Sequence, residues 1–413
     1  MRKKIRPSKV RGSIQAPPSK SYAQRAIAIA TLAHGKSEIL FPGISDDVKA
    51  AASVAAQFGA EVEFSDNMIM IKGGISTPGN LLDCGEAGLS IRMFASVAAL
   101  LSHPVTLTGR GSLPGRPMNI VEDSLRALGV RCTTSKGYLP LTVQGPVRGG
   151  MVKVDGSFSS QVLTGILIAA PYAENDMTIL VKNLKSRPYI DITLDVMKSF
   201  GVEVENHAYS EFHVKSGQKY RPSRYTVEGD WSGAAFMLVA GAVGGHVRVD
   251  NINTRSPQAD RAILDALKMA GADMLISEDD VTVSKSKLSC FDFDATQCPD
   301  LFPPLVSLAS YCEGKSRIKG AGRLIHKESN RAATLMEEFG KLGIRITVNN
   351  DLMEITGGRC KEGKVFSHDD HRIAMACAVA GLGGEGVVEI SGAGAVAKSY
   401  PGFFTDLEAL MTG

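Results

Sequence analysis

The sequence predicts a mixed α/β (α+β) protein made of six repeats in two similar domains. A chain of 413 residues, 44% of them hydrophobic, exceeds one ordinary core, so we expect two domains of about 200 residues each. One unit recurs six times at steps of 68 to 73 residues: a polar start, an apolar helix, a second helix and short strands. A second marker, the glycine after the second helix, keeps nearly the same step, which makes chance similarity a poor explanation.

The polar starts open six helices that have almost no charged face. They lie at residues 19–21, 87–89, 158–160, 231–233, 299–300 and 370–372. Stretches such as 26–33 and 162–170 contain no charged side chain, and helices of this kind are normally buried all round. Their first turns are then their only wet parts. Because a helix N-terminus presents unpaired N–H groups and partial positive charge, several such ends meeting in one cleft would form an anion site.

The second helix of the first five units ends at a glycine followed by a small or branched residue. These pairs are Gly59-Ala60, Gly129-Val130, Gly201-Val202, Gly271-Ala272 and Gly343-Ile344. Glycine suits a left-handed helix C-cap, and the apolar alternation that follows suits a strand. The sixth copy ends with the chain, at residues 403–411.

Charge and cysteine content exclude several classes of protein. The net charge is only +3 and there is no long basic run, so we expect no nucleic-acid partner. The seven cysteines include no CxxC pair, which argues against a disulfide framework or a zinc site and favours a cytoplasmic location. Apolar runs such as 93–101 are far shorter than the ~20 residues that span a bilayer, so no membrane partner is expected. The basic N-terminus lacks an apolar segment, so we expect no removed targeting peptide.

Candidate anion-binding groups stand at the helix starts in the first half of the chain. Lys20, Ser21 and Arg25 open the first apolar helix, where an arginine supplies a bidentate fork and a lysine a mobile point charge. Gly88 would allow close approach of the backbone to a ligand, and Arg116 stands in a glycine-rich loop just before a proline. The alternative for each motif is a capped helix start with solvated flanking charges.

Hydroxyl and amide groups open the third apolar helix, at Ser159, Ser160 and Gln161. They could bind a polyhydroxylated ligand or a phosphate, although plain helix capping is the better explanation of this motif taken alone. Ser186 and Tyr189 stand at the start of an amphipathic helix with a proline in its first turn, and could add two further hydroxyls.

In the second half, Asp300 stands at the fifth helix start. A carboxylate there is an ordinary cap, but one aimed into a closed cleft could accept a proton from a substrate hydroxyl. Lys327 and Arg331 are four residues apart, which predicts that they share one face of a helix, with Glu328 beside Lys327. A surface helix would carry the same charges.

Histidine and aspartate at 368–371, before Arg372, raise a metal hypothesis. No other cluster in the sequence completes a ligand pattern, so a structural or anion-binding role is favoured and no metal is expected. Lys398 is the last basic candidate. The tripeptides at 35–37 and 314–316 look like P-loop endings, but Ala30 and Ala309 stand where a P-loop needs glycine.

Taken in order, these residues resemble the 5-enolpyruvylshikimate-3-phosphate synthase family over nearly the whole chain. The segments that carry the resemblance are PSKSYAQRA, GEAGLSIR, LPGRPM, DGSFSSQ, SRPYIDITLDVMKSFGV, PD, HKESNR, DDHRIAMA and AKSYPGFF. The resemblance implies two similar domains, each of three βαβαββ units in an inside-out α/β barrel. Domain I would comprise residues 1–19 and 228–413, and domain II residues 20–227.

The resemblance also implies a reaction. The enolpyruvyl group of phosphoenolpyruvate would pass to the 5-hydroxyl of shikimate 3-phosphate by addition and then elimination, on the route to chorismate and the aromatic amino acids. Asp300 would lie near the attacking hydroxyl, and Lys20 and Glu328 would transfer protons. Closure would unite two half-sites in one dry pocket. No metal or organic cofactor would be needed, and the enzyme would be a monomer whose partners are these two substrates.

The same resemblance assigns the binding residues. Shikimate 3-phosphate would be bound by Ser21, Arg25, Ser159, Ser160, Gln161, Ser186, Tyr189, Asp300 and Lys327. Phosphoenolpyruvate would be bound by Lys20, Gly88, Arg116, Gln161, Arg331, Arg372 and Lys398. The chain departs from the usual family pattern at Glu86, Leu89, Met93, Arg323 and Asn330, which bears on sensitivity to inhibitors such as glyphosate.

Two alternatives remain. The sister family that transfers enolpyruvyl to UDP-N-acetylglucosamine usually has Lys-Asn at the first motif and Cys or Asp in the loop before the arginine, whereas here Lys20 precedes Ser21 and residues 111–116 contain neither. A non-catalytic anion-binding repeat protein would explain the helices and cations, but would not need Lys20, Asp300 and Glu328 in the family's order.

Overall fold

A computed structural model of the protein describes residues 1–75, 79–157 and 160–412. The chain forms two compact units. Unit 1 consists of Met1–Pro17 with Glu228–Gly413, and unit 2 consists of Pro18–Val227. The chain therefore leaves unit 1 after Pro17 and returns to it at Glu228.

The elements follow one another in chain order. Unit 1 begins with the strands β1 (Arg2–Ile5) and β2 (Lys9–Gln15). The helices of unit 2 are α1 (Lys20–Leu32), α2 (Asp46–Gln57), α3 (Gly88–Ala98), α4 (Asn119–Ala127), α5 (Ser160–Ala169) and α6 (Pro188–Ser199). Its strands are β3 (Gly35–Leu40), β4 (Glu61–Ser65), β5 (Met68–Gly73), β6 (Leu81–Asp83), β7 (Val105–Thr108), β8 (Arg131–Ser135), β9 (Tyr138–Gln144), β10 (Gly150–Asp155), β11 (Met177–Lys182), β12 (Glu205–His207), β13 (Glu211–Val214) and β14 (Arg224–Thr226).

The rest of unit 1 repeats this alternation. Its helices are α7 (Trp231–Gly244), α8 (Ile263–Met269), α9 (Phe302–Ala309), α10 (Arg331–Lys341), α11 (His371–Leu382) and α12 (Phe403–Leu410). Its remaining strands are β15 (Gly245–Asp250), β16 (Asp273–Ile276), β17 (Asp280–Ser284), β18 (Asp292–Asp294), β19 (Lys315–Lys319), β20 (Arg345–Asn349), β21 (Leu352–Thr356), β22 (Gly363–Phe366), β23 (Val388–Ser391) and β24 (Met411–Thr412).

The strands of each unit form three separate sheets with one recurring pattern. In unit 2 the orders are β14-β3-β5-β4, β6-β7-β9-β8 and β10-β11-β13-β12, and in unit 1 they are β16-β17-β15-β2-β24, β18-β19-β21-β20 and β1-β23-β22. Each sheet contains one parallel pair, such as β10 with β11, and its other pairings are antiparallel. A parallel pair needs a crossover connection, and an apolar helix supplies it. The six sheets confirm the six repeats and the mixed α/β class.

The repeats next to the two chain crossings exchange their first strands. Strand β2 precedes α1 in the chain but pairs in parallel with β15, which follows α7. Conversely, β14 precedes α7 but pairs in parallel with β3, which follows α1. Each crossing therefore falls between a strand and the helix that would otherwise follow it in the same repeat.

The apolar helix of each repeat lies inside its unit. Helices α3, α9 and α11 are buried at every residue, and α1, α5 and α7 at all but their first turns. Strands such as β17 bury alternate residues, so their sheets are covered on one face. The expected inside-out barrel therefore consists of central helices and separate outer sheets, and among the described strands no sheet closes on itself. In the same residues, no helix has the length and hydropathy to cross a bilayer.

The glycines that end the second helices adopt the expected left-handed conformation. Their φ angles are 93° at Gly59, 78° at Gly129, 82° at Gly201, 81° at Gly271 and 79° at Gly343. Residues with a Cβ rarely adopt this conformation, so glycine is the natural residue at these ends. The repeated glycine in the sequence therefore marks real helix ends.

Two glycines of unit 1 give a matched test of packing. A Cβ on Gly357 would lie 1.7 Å from the Cys312 carbonyl oxygen, whereas a Cβ on Gly340, inside α10, would meet nothing within 4 Å. We expect Gly357→Ala to lower the free energy of unfolding by about 2 kcal/mol or more, because backbone must move. Gly340→Ala should raise it by about 0.5–1 kcal/mol. Denaturant unfolding of both variants measures this, and equal effects would contradict the packing described.

Candidate active site

The first turns of α1, α3 and α5 come together within unit 2. Ser90 on α3 donates to the Gln24 side chain on α1 at 2.8 Å, and Arg92 on α3 donates to the Gln161 side chain on α5 at 3.2 Å. All three helices are apolar beyond this end, so their polar groups can interact only here. The predicted convergence of helix starts is therefore present in this unit.

Arg25 lies beneath this cluster, almost entirely buried. Its Nε donates to the Thr193 hydroxyl at 2.9 Å, and its two Nη atoms donate to the Ser21 and Tyr189 carbonyl oxygens at 2.8 and 3.1 Å. Burial lowers the pKa of Arg25 to about 10, partly offset by nearby tyrosines. All three nitrogen atoms thus already bind uncharged protein acceptors, and what Arg25 offers a ligand is its positive charge.

Arg92 and Arg116 converge on the first residue of α3. A Cβ on Gly88 would lie 2.5 Å from Nη1 of Arg116 and 3.2 Å from Nη1 of Arg92. Both arginines are buried, and the helix start at Ala87 has no side-chain cap. Two guanidinium groups beside an uncapped helix N-terminus make a site for a carboxylate or phosphate. Glycine is needed here because of this close contact.

Lys20 is held by a partner that the sequence did not reveal. Its Nζ lies 2.5 Å from the Asp47 carboxylate, and both side chains are largely buried. Asp47 stands in the first turn of α2, next to Asp46. Acidic residues are common in first turns because of the helix dipole, so no signal in the sequence distinguished Asp47.

The remaining expected residues of unit 2 lie at the starts of α5 and α6. Ser160 opens α5 and is buried, whereas Ser159 lies outside the described residues. Ser186 is buried in a left-handed conformation with φ of 59°. A residue other than glycine rarely adopts it, and such strain is typical of functional positions. Helix α6 begins with a proline as expected, and Tyr189 in its first turn faces Arg25.

In unit 1, Arg331 is the centre of a buried cluster of charges. Its Nε donates to Asp370 at 2.7 Å, its Nη1 donates to Asp300 at 2.7 Å, and its Nη2 donates to Glu328. Burial alone would lower the pKa of this arginine, but the carboxylates of Asp370, Glu328 and Asp300 hold it well above its usual value. Arg331 is therefore a permanent cation whose donors face three acids.

The Asp300 carboxylate accepts hydrogen bonds from three cationic side chains. Arg331 Nη1 lies at 2.7 Å, and Lys327 Nζ and Arg372 Nη2 each lie at 3.1 Å. Burial works against ionisation of this carboxyl, but the charges of Arg372, Lys327 and Arg331 outweigh it and hold its pKa well below its usual value. The pKa of Lys327 is lowered by burial, although Asp300 opposes the shift. These contacts join the starts of α9, α10 and α11 within unit 1.

The expectation that Lys327 and Arg331 share one face of a helix is wrong. Helix α10 begins only at Arg331, and the Asn330 side chain caps it by accepting from the Ala333 N–H at 3.3 Å. Because a capping residue has non-helical backbone angles, Lys327 lies in the preceding turn. The two cations instead meet through Asp300, their shared acceptor.

Asp260 is a second acid that sequence reasoning missed. It is buried, the Ser232 hydroxyl donates to its Oδ2, and its Oδ1 has no hydrogen-bond partner among the described residues. Burial raises the pKa of Asp260 to about 7; nearby Asp300 adds to the shift and Arg372 opposes it. Nothing in the local sequence pointed to this residue, because it comes beside Asp300 only through the fold.

The segment before α11 holds the last two candidates. Asp370 caps α11 by accepting from the Arg372 N–H at 3.0 Å, which places the Arg372 side chain toward Asp300. Lys398 donates to the Asp369 carbonyl oxygen at 2.7 Å. Arg372 therefore belongs to the Arg331 cluster, and Lys398 contacts the segment just before α11.

One group of side chains has the composition of a metal site. Ligand atoms of Glu337, Glu338 and His368 lie within 4.8 Å of one another. However, the Lys341 ammonium donates to both carboxylates, at 2.9 and 2.8 Å, and His368 Nε2 lies 2.7 Å from Glu338. Lys341 thus already forms ion pairs with both carboxylates, and the geometry favours an ion-pair network over a metal centre.

The residues that depart from the usual family pattern are spread over both units. Leu89 and Met93 are buried in α3. A Cβ on Gly111 would lie 2.2 Å from the Glu86 carboxyl carbon, so this acid lies against the loop before Arg116. In unit 1, Arg323 donates to the Thr296 carbonyl oxygen at 2.7 Å.

The two clusters differ in the partners of their arginines. In unit 2, Arg25 and Arg92 donate to hydroxyl, amide and carbonyl oxygens, and in unit 1, Arg331 and Arg372 donate to carboxylates. The first arrangement leaves positive charge for an anion. The second supplies acids beside cations, which suits proton transfer next to a bound anion.

Comparisons with known proteins agree with this chemistry. Residues 5–407 match the family described as EPSP synthase (3-phosphoshikimate 1-carboxyvinyltransferase). Relatives named 3-phosphoshikimate 1-carboxyvinyltransferase include one from Methanocella arvoryzae, 40% identical over 98% of each chain. Another, from Pyrococcus abyssi, is 41% identical over 98% of this chain and 96% of the relative.

A solved structure, EPSP synthase from Acinetobacter baumannii, has the same fold. The TM-score is 0.83 at 26% identity, over 99% of this chain and 98% of the other. Together, the match over residues 5–407 and the full-length relatives show that the chain belongs to the EPSP synthase family.

Proposed function

We propose that the chain is a transferase that moves the enolpyruvyl group of phosphoenolpyruvate to the 5-hydroxyl of shikimate 3-phosphate. The products are 5-enolpyruvylshikimate 3-phosphate and phosphate, and the step leads toward chorismate and the aromatic amino acids. The observation that carries the proposal is the Arg331 cluster, where Asp300 and Glu328 contact an arginine in an anion-binding region. An enolpyruvyl transfer needs acids for proton transfer beside cations for its anions, and family membership names the substrates.

The reaction has an addition step and an elimination step. In the addition, the 5-hydroxyl oxygen bonds to C2 of phosphoenolpyruvate, its proton passes to a base, and C3 receives a proton. In the elimination, C3 loses a proton, the C2–O bond to the phosphate breaks, and the double bond re-forms. Asp300 is the proposed base for the hydroxyl, and Lys20 and Glu328 are the proposed proton donors and acceptors at C3.

The positive groups have two tasks in this proposal. Phosphoenolpyruvate would be bound by Lys20, Gly88, Arg116, Gln161, Arg331, Arg372 and Lys398. Protonation of C3 builds positive charge at C2, and a nearby carboxylate such as that of Glu328 would stabilise that charge. The buried arginines would stabilise the negative charge that builds on the phosphate as the C2–O bond breaks, and so ease its departure.

Shikimate 3-phosphate would be bound by residues of the same clusters. Arg25 supplies positive charge under Ser21 and Tyr189, and Ser160 and Gln161 open α5 beside it. The wider proposed set also includes Ser159, Ser186, Asp300 and Lys327. These side chains combine hydroxyl and amide donors with cations, as a phosphorylated polyol requires.

The proposal includes the organisation of the protein. Residues 1–19 with 228–413, and residues 20–227, would be the two functional domains. Every assigned residue belongs to one chain, so the reaction needs no second copy and the enzyme would work as a monomer. The described cysteines are all free thiols, which fits a reducing compartment such as the cytoplasm.

The central experiment measures phosphate release from phosphoenolpyruvate. We expect release only when shikimate 3-phosphate is present. No release with shikimate 3-phosphate would overturn the proposed function, and release only with UDP-N-acetylglucosamine would assign the chain to the sister activity. A further arm with glyphosate measures whether Glu86 and Arg323 alter inhibition.

Lys20→Ala and Glu328→Ala should each lower kcat at least about 100-fold, since each removes a proposed proton-transfer group. Circular dichroism should show that both variants remain folded. Lys36→Ala, which changes an exposed lysine on β3, is the matched control and should keep the wild-type rate. Wild-type rates in both site variants would remove the assigned roles.

Gly88→Ala tests the anion site of unit 2. The new Cβ would collide with Arg116 and crowd Arg92, so we expect the Kd for phosphoenolpyruvate to rise about tenfold or more, equivalent to about 1.4 kcal/mol. Gly115→Ala is the control, because a Cβ there would meet nothing within 4 Å although it adjoins Arg116. Calorimetric titration measures both, and an unchanged Kd in Gly88→Ala would contradict the assignment.

A further inference from the structure

Asp300 accepts hydrogen bonds from the same cationic donors to which a substrate anion would bind. Arg331, Arg372 and Lys327 all donate to its two carboxylate oxygens, at 2.7 to 3.1 Å. Glu328 accepts from a different nitrogen of Arg331. A substrate phosphate or carboxylate bound to Arg331 and Arg372 therefore meets a carboxylate already on the same cations.

The three acids around Arg331 differ in their freedom to move. The Asp370 side chain is 0% exposed and also caps α11, so it is fixed. The side chains of Asp300 and Glu328 are 17% and 20% exposed. Both can therefore reach solvent or a ligand without breaking a helix cap.

We propose that Asp300 and Glu328 are exchangeable counter-ions, and that a substrate anion takes Arg331 and Arg372 from Asp300 and thereby turns Asp300 into an effective base. The proposal rests on the proposed function, since it explains how its base is activated. It adds an order of events, in which anion binding comes before removal of the hydroxyl proton.

The electrostatic reason is simple. A carboxylate held by three cations binds a proton weakly, and burial of these charges makes each contact stronger than in water. An anion that shares Arg331 and Arg372 screens their charge and adds its own negative charge, so the proton affinity of Asp300 rises. The 5-hydroxyl proton can then pass to an Asp300 oxygen while the O–H electron pair forms the new bond to C2.

The acids near Asp300 raise its pKa, whereas Lys327 lowers it, and the neighbouring thiol is too weakly acidic to take the place of Asp300. The groups that face it are Lys327, Arg331, Arg372, Glu328, Asp260 and the Cys298 thiol. Asp260 and Glu328 are acids that add to the rise in the pKa of Asp300 once its cations are shared. The Cys298 thiol has its pKa raised by burial and nearby acids, so it stays neutral.

The hydrogen bonds of Arg92 in unit 2 differ from those of Arg331 in unit 1. There the hydrogen bonds of Arg92 go to the Gly88 and Pro117 carbonyls and the Gln161 amide. An anion at those donors replaces neutral acceptors and releases no carboxylate. In unit 1 the same exchange would displace Asp300, so substrate charge is coupled there to the proton affinity of a carboxylate.

The test compares anion binding in Asp300→Asn and wild type. Removing the competing charge should tighten binding of phosphoenolpyruvate, and of sulfate as a simple dianion, by about tenfold, the effect of one strong charge contact in a partly buried site. Asp294→Asn is the control, because it removes one charge from the same unit on exposed β18 and should leave Kd unchanged. Equal or weaker binding by Asp300→Asn would overturn the proposal.

Proton linkage gives a second measurement. Anion binding should raise the pKa of Asp300, so the wild-type protein should take up protons when sulfate binds at acidic pH, and its sulfate affinity should increase as pH falls. Calorimetry in buffers of different ionisation enthalpy measures the uptake. It should be smaller in Asp300→Asn and unchanged in Asp294→Asn, and equal uptake in all three would contradict the exchange.

Failure of this inference can be told from failure of the proposed function. The binding comparison needs no turnover, whereas the proposed function fails only if wild type releases no phosphate in the presence of shikimate 3-phosphate. If Asp300→Asn does not fold by circular dichroism, Glu328→Gln replaces it. This variant frees the Nη2 side of Arg331 and should also tighten anion binding, and weaker binding there would overturn the proposal.

Discussion

Six helices with no charged face constrain the whole structure. A helix that is apolar on every side can be stable in water only when the rest of its unit covers it, and the three sheets of each unit provide that cover. The first turn is then the place where polar side chains can stand without entering the core. Lys20 and Arg372 lie in such first turns, and Arg92 is the fifth residue of α3. The fold thus places polar and charged side chains of each unit at one end of its central helices.

Because the arginines at these helix ends are buried, the chemistry of each one depends on which acceptors it contacts. A buried guanidinium is unstable without acceptors, and the two units satisfy this need differently. Neutral acceptors around Arg25 and Arg92 solvate the cation but leave its charge available. Carboxylates around Arg331 neutralise it and are themselves proton carriers. The same requirement is therefore met by neutral acceptors around Arg25 and Arg92 in one unit and by carboxylates around Arg331 in the other.

Periodicity explains how much of this could be predicted from the sequence. The repeat step, the apolar helices and the terminal glycines are local features, and the structure confirms them. Contacts between distant segments were not predictable from local pattern. Asp47 and Asp260 resemble ordinary helix-start acids until the fold brings them beside Lys20 and Asp300. The exchange of β2 and β14 between repeats also depends on strand pairing that no local pattern specifies.

The error over Lys327 and Arg331 has a physical reason. A spacing of four residues brings side chains together only when the backbone between them is helical, and Asn330 interrupts it as a cap. The two cations nevertheless come together, because both donate to Asp300 by another route. Oppositely charged side chains can meet in a buried cluster along several different backbone paths. A contact between residues four apart on one helix face, in contrast, requires a continuous helix between them. Site composition is therefore easier to predict from sequence than site geometry.

A cluster of equal and opposite charges also resolves a conflict between stability and binding. Three cations brought together without acids would repel one another in a buried site, and the unit would lose stability. Asp300, Glu328 and Asp370 remove that repulsion, but a fully neutral cluster attracts an anion weakly. Only carboxylates that can leave reconcile the two demands, and the fold holds Asp370 in a helix cap while Asp300 and Glu328 keep partial access to solvent. The difference in exposure among these three acids therefore distinguishes the counter-ion fixed in a helix cap from the two that a ligand can reach.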